Sequence, residues 1–208
     1  MPASVPPRYN LSFTAASLRP ELARILSEVF LETGDWEVTK ARVLASNALQ
    51  ARSPSSAMRL ERELRQRLQC LMPEQLSLLA HSDSQDRAAM AWLAMLKYNA
   101  FVFDFASDLL RHKLATHEPV LHRSDYETFL AEKAIGHPEL ADLADTTRTK
   151  LRNVLLRMLT EVGMLAKGSG LGIVQRPSLS PRAKSAIRAD RTDWLAGFLL
   201  TDTEIKRA

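Results

Sequence analysis

The stretch AAMAWLAMLKYNAFVFDFASDLL, Ala88 to Leu110, limits the fold more than any other part of the chain. So long an apolar run must leave water, and only a bilayer or the middle of a packed protein will accept it. Lys97, Asn99 and Asp104 interrupt it. A charged group at mid-bilayer is expensive, and no unbroken window of about 18 apolar residues remains. The pattern therefore predicts the buried central helix of a soluble protein, from about Ser84 to Leu114, with a bend near Asn99. A helix that is apolar all round needs other helices to cover it. With 208 residues, 46% of them hydrophobic, the chain is long enough to provide them.

The flanking sequence supplies amphipathic segments. Leu22, Ile25, Leu26, Val29 and Phe30 recur at helical spacing, and Gly34 stops that helix. Asp35 can cap a second helix with apolar positions Val38, Ala41, Val43, Leu44 and Ala48. ARSPSS breaks the chain before a third, with Leu60, Leu64, Leu68 and Leu71 on one side, and Pro73 opens a fourth, to about Ala80. Beyond the central helix, ATHEPVLHRSD reads as a connector. Ser124 can cap DYETFLAEKAI, Gly136 ends it, and HPELADLA is a short helix with Pro138 in its first turn. Asp145 can cap TTRTKLRNVLLRMLTEV, and Ser178 to Leu200 holds one or two more helices.

The fold class is mostly all-α: a globular helical protein with two helix-turn-helix elements, the C-terminal one winged by a short β-hairpin. The expected organisation is an N-terminal helical region (1–80) with the first helix-turn-helix, a central buried helix (81–120) and a C-terminal winged region (121–208), together forming one compact unit. Residues 1–10 are a Pro-rich leader without the apolar core of a signal peptide, expected as an arm. The one cysteine, Cys70, rules out an internal disulfide and suits a reducing cytoplasm. It is expected as an inert packing thiol.

Two places share one design: a short helix, a tight break and then a basic helix. In Thr146–Val162, Leu151, Val154, Leu155, Met158, Leu159 and Val162 form the core stripe. The opposite face carries Thr146, Thr149, Lys150, Asn153 and Arg157, flanked by Arg152. Hydroxyls, an amide and cations are the groups that reach phosphates and base edges in a major groove. In the N-terminal counterpart, Ser55, Arg59, Arg62 and Gln66 share the outward face, with Arg65 beside them. Glu61 and Glu63 are expected to dilute its field, and Arg62 or Arg65 could pair with nearby acids.

Four of the seven glycines fall between Gly163 and Gly172. Neither a P-loop nor a dinucleotide turn is complete there, and both of those follow a strand and open a helix. Here a helix precedes the glycines, and the β-branched Ile173 and Val174 follow. The segment reads as a wing: GMLAK as first strand, GSG as turn and LGIVQRP as second strand. Lys167 and Arg176 would meet the phosphate backbone.

Catalytic patterns are weak. His112, His117 and His122 lie five apart with a proline between the last two, unlike H-E-x-x-H. Asp104 and Asp108 are one helical turn apart, with no pocket to serve. No metal or cofactor is expected, and no enzymatic activity.

From Tyr9 to Leu68, YNLSFTAASLRPELARILSEVFLETGDWEVTKARVLASNALQARSPSSAMRLERELRQRL resembles the N-terminal region of the BrxA family. These are small core proteins of bacteriophage exclusion (BREX) defence systems. The order of the remaining segments agrees, so the resemblance covers nearly the whole chain. It implies an all-helical globular protein with helix-turn-helix elements, positively charged surfaces, double-stranded DNA binding and no known enzymatic activity. It also implies work beside a methyltransferase, an ATPase and a phosphatase-like component. The family offers no fixed DNA-contact motif, so the candidate contacts above come from helix geometry alone.

The expectation is a cytoplasmic, monomeric protein that binds duplex DNA mainly through phosphate contacts. Its net charge of +4 suggests salt-sensitive binding with little sequence preference. Two rivals remain. One is a protein-docking scaffold of the defence complex with incidental DNA affinity, and the other is an RNA-binding helical module.

Overall fold

A computed structural model describes residues 8–11, 13, 14 and 16–207. Residues 1–7, most of the expected arm, lie outside them. The described chain is mostly helical, with one small sheet. Its first half contains α1 (Pro20–Thr33), α2 (Trp36–Ala45), α3 (Pro54–Leu68) and α4 (Pro73–His81). The central stretch follows as α5 (Ser84–Tyr98), α6 (Ala100–Asp104), a π-helical turn (Phe105–Leu110) and α7 (Arg111–Ala115). Next come β1 (Val120–Leu121), α8 (Arg123–Ala134), α9 (Pro138–Ala141), α10 (Asp145–Glu161), β2 (Leu165–Ala166) and β3 (Gly172–Val174). The chain closes with α11 (Pro181–Asp190), a 3₁₀ turn (Thr192–Phe198) and α12 (Asp202–Arg207).

The central helix is buried as its composition demands. Every residue from Ala89 to Leu96 is buried, and α1, α3, α4 and α11 pack around it. Trp92 buries its ring and donates its indole N–H to the Gly197 carbonyl at 2.9 Å. The three polar interruptions all have structural work. Asn99 leaves the helical conformation and caps α6, accepting the Val102 N–H at 3.1 Å. Its amide donates to the Asn10 carbonyl at 2.6 Å. Lys97 pairs with Asp190 on α11 at 2.7 Å. Asp104 accepts the Tyr9 hydroxyl at 2.5 Å and Lys133 at 3.1 Å. The bend is thus a capped break, and a π-helical turn follows it. Among the described residues no helix is long and apolar enough to cross a membrane.

Tyr9 falls within the expected arm but is buried. Its ring stacks on His137 with centroids 3.7 Å apart, and its N–H donates to Glu139 at 2.6 Å. Burial, and next the bonded Asp104 carboxylate, push the Tyr9 phenol above its ordinary pKa. One continuous apolar core runs from Tyr9 to Leu199.

Two caps differ from expectation. Helix α8 begins one residue before Ser124, because the Asp125 carboxylate reaches back to accept the His122 N–H at 2.7 Å. Lys113 holds that carboxylate at 2.8 Å. Helix α10 has Asp145 inside its first turn, and Ala144 occupies the cap position. Arg148 fastens the turn instead, donating to the Leu143 and Ala141 carbonyls, each at 3.1 Å.

The glycine segment forms a hairpin, with β2 antiparallel to β3. The supposed connector is more than a connector, since its β1 pairs with the other edge of β3 and gives the order β1-β3-β2. The close approach explains two glycines. A Cβ on Gly170 would lie 2.5 Å from the Leu121 carbonyl of β1. Gly172 has φ +140°, and its Cβ would lie 2.8 Å from the Ala166 carbonyl. Gly172→Ala therefore combines backbone strain with a backbone clash, an expected cost of about 1–3 kcal/mol. Thermal unfolding should show its Tm lowered by roughly 2–12 °C, with Ser169→Ala in the same exposed turn unchanged.

Candidate nucleic-acid interface

Helix α3 is started by Ser53, whose hydroxyl accepts the Ser56 N–H at 3.3 Å, with Pro54 at the first helical position. Leu64 and Leu68 are buried and fix its rotation. Ser55, Arg59 and Arg62 consequently face solvent. Neither arginine has an ion-pair partner among the described residues, whereas Arg24, Arg42, Arg65 and Arg87 elsewhere are all paired. Gln66 is half-buried, and its side-chain carbonyl accepts the Tyr98 hydroxyl at 3.1 Å.

The acids of this helix are placed differently from Arg59 and Arg62. Glu61 and Glu63 lie beneath the solvent face rather than on it, only 1% and 6% exposed. Glu61 holds Arg65 at 2.7 Å, and Glu63 lies 3.7 Å from Arg67. Each acid lies one turn before an arginine of the same helix and turns inward beside it, so charge alone does not mark the outside. The solvent face of α3 carries cations and hydroxyls with no exposed acid.

Helix α10 buries Leu151, Leu155, Met158 and Leu159. Thr146, Thr149, Lys150, Asn153 and Arg157 are exposed together on the other side. Lys150 and Arg157 have no ion-pair partner among the described residues. Arg152 instead faces Glu127 of α8 at 3.6 Å. Lys167 is exposed at the hairpin, also without an ion-pair partner there. Arg176, just past β3, pairs with Glu204 at 2.6 Å.

The two basic helices are tied by one short segment. Arg67 of α3 donates to the Ser17 and Ala16 carbonyls at 2.7 and 2.9 Å. Glu161 of α10 accepts the Ser17 hydroxyl and the Leu18 N–H, each at 2.7 Å. Residues 16–18 therefore strap the end of α3 to the end of α10.

Some basic residues escape the sequence pattern. Arg19 and Arg52 join Ser55, Ser56 and Arg59 around an open cleft of about 460 Å³ beside the start of α3. Both arginines sit in loops, Arg52 in the ARSPSS break and Arg19 just before Pro20. Helical periodicity says nothing about where loop residues point. Their only signal was adjacency to a helix start.

The weaker catalytic candidates are otherwise employed. Asp104 and Asp108 share Lys133, at 3.1 and 2.8 Å. Cys70 is half-buried, and burial raises its thiol above the ordinary range. Among the described residues no three His, Cys, Asp or Glu side chains converge as metal ligands.

A BrxA family model matches residues 7–191. A protein named BREX protein BrxA from Paramagnetospirillum magneticum is 26% identical over 159 residues, covering 76% of this chain and 80% of that one. One of the same name from Escherichia coli O9:H4 (strain HS) is 26% identical over 141 residues, covering 68% and 66%. The fold is similar to a crystal structure of an uncharacterized protein from Magnetospirillum magneticum, with a TM-score of 0.81. There the identity is 22%, and the match covers 93% of this chain and 98% of that one.

Proposed function

The chain belongs to the BrxA family, and from that premise we propose that it is a non-enzymatic double-stranded DNA-binding component of a BREX phage-defence system. The observation that carries the proposal is the pair of solvent-facing helical surfaces, Arg59 and Arg62 on α3, and Lys150 and Arg157 on α10. These cations lack ion-pair partners among the described residues, in a protein that pairs many of its other charges. A cation left without a protein partner is available to a phosphate. Ser55, Thr146 and Thr149 supply hydroxyls, and Asn153 and Gln66 supply amides for base edges. The hairpin acts as a wing, with Lys167 at its turn and Arg176 at its exit. The two helix-turn-helix units work in the cytoplasm as parts of one compact monomer, beside other components of the system.

Duplex titrations at several salt concentrations test this, with single strands and RNA as competitors. Tight, salt-dependent duplex binding supports the reading. Negligible duplex affinity at physiological salt overturns it. One observation favours a second reading, a protein-docking role. Leu44, Ala51, Pro54, Ala57 and Met58 line a groove of about 450 Å³ between α2 and α3, and Met58 is 53% exposed. Partner capture that survives nuclease treatment, without duplex affinity, would select it.

A further inference from the structure

A second basic cleft, lined by no residue of α3 or α10, lies between the exit of the hairpin and the C-terminal turn. Its volume is about 520 Å³. Arg176, Lys184, Arg188 and Arg207 line it, against a single carboxylate, Glu204. Lys184 and Arg188 stand one turn apart on α11, so both project from the same side of that helix. Arg176 enters from the end of β3 and Arg207 from α12. Three separate elements thus bring positive charge to one concavity, where chance surface placement would disperse it.

The one acid does not neutralise the cleft. Glu204 accepts the Thr201 N–H at 2.8 Å, the Thr201 hydroxyl at 2.7 Å and Arg176 at 2.6 Å. These bonds, the Thr201 amide first, hold its carboxyl at about 2, so it is ionised and fully engaged at neutral pH. Its charge is matched by Arg176. Lys184, Arg188 and Arg207 have no ion-pair partner among the described residues. Like charges gathered in a concavity repel one another unless an anion joins them. The lining has no aromatic ring to stack on a base; its apolar members are Pro177, Leu179 and Leu200. The complementary chemistry is a chain of phosphates rather than a nucleobase.

We propose that this cleft is a phosphate-binding site, taking either successive phosphodiesters of a nucleic-acid backbone or a free polyphosphate. The site does not depend on duplex binding by α3 and α10. Arg176 leaves Glu204 to share the incoming anion, or stays and presents its remaining guanidinium donors to it. Lys184, Arg188 and Arg207 supply the charge.

Calorimetric titration of the full chain with inorganic tripolyphosphate at about 0.15 M salt tests the site. The expected result is saturable binding, weakened about tenfold or more in Lys184→Ala/Arg188→Ala. Arg42→Ala/Arg123→Ala, which removes the same charge at exposed positions outside the cleft and the two helical faces, should bind tripolyphosphate as wild type does, and so should the charge-preserving Lys184→Arg/Arg188→Lys. Circular dichroism checks that each variant is folded, and these exposed positions leave the core intact. Competition with duplex then identifies the source of the phosphates. Tripolyphosphate that displaces duplex assigns the cleft to a nucleic-acid backbone, and tripolyphosphate that binds beside it assigns a free polyphosphate. No binding by wild type, equal binding by Lys184→Ala/Arg188→Ala, or an equal loss in Arg42→Ala/Arg123→Ala would overturn the site. Duplex binding that depends on α3 and α10 could survive any of these failures, so the two readings fall separately.

Discussion

Lys150→Ala/Arg157→Ala should bind duplex DNA about thirtyfold more weakly than wild type at about 0.15 M salt, as should Arg59→Ala/Arg62→Ala. The size follows from counterion release. Each cation that neutralises a phosphate contributes about 0.9 to the slope of log affinity against log salt. Two such contacts contribute about 1.8, which at that salt is about a factor of thirty. Removing all four should flatten the slope by about 3.6 and lower affinity about a thousandfold. The four residues are exposed and lack ion-pair partners among the described residues, so stability should stay within about 0.5 kcal/mol of wild type. Asn153→Ala should leave the slope unchanged, because an amide neutralises no phosphate. Gel-shift or anisotropy titrations from low to high salt measure all of this. If both double variants retain the wild-type slope, α3 and α10 are not the DNA surface.

What could be read from the sequence is what local periodicity encodes. The buried stripe Leu151, Leu155, Met158 and Leu159 repeats every three to four residues, so the outward positions of α10 followed from it. The same logic placed Arg59 and Arg62. The hairpin was legible because glycines and β-branched residues follow a helix and lack the order of a nucleotide loop. The misses share a different cause. Val120–Leu121 is a two-residue strand whose existence depends on β3, about fifty residues later, and two residues carry no period. Glu61 and Glu63 are charged yet buried beside Arg65 and Arg67, one turn along the same helix, and Arg67 is buried because the tertiary fold brings the Ser17 and Ala16 carbonyls to it. Ser124 lost its capping role to Asp125 because Lys113, from the preceding helix, holds that carboxylate. The phosphate cleft draws on three elements, so no single stretch announces it. Of its cations only Arg176 lies beside a motif legible in the sequence, the hairpin.

Arg67→Met should be the most destabilising of these changes, by about 3–5 kcal/mol. Arg67 is only 2% exposed, and burial lowers its pKa from the ordinary arginine value. The interior accommodates it because its planar fork satisfies two carbonyls at once, those of Ser17 and Ala16. Methionine fills similar space but leaves both carbonyls without that donor and Glu63 as a buried carboxylate without its cation. For a chain of this length the loss corresponds to a Tm lower by roughly 6–20 °C. Arg67→Lys should recover part of it, since one ammonium cannot reproduce the two-pronged geometry. Glu63→Leu/Arg67→Met should recover the part due to the stranded carboxylate and not the part due to the carbonyls. The strap of residues 16–18 also hangs from Glu161 of α10, so its loosening should weaken duplex binding as well. It does so without removing a phosphate contact, and the salt slope should therefore remain that of wild type. Arg59→Ala/Arg62→Ala should show the reverse, an unchanged Tm with a flattened slope. If Arg67→Met flattened the slope, the guanidinium would have to reach DNA, which its burial forbids, and the division between contact and scaffold drawn for α3 would fail.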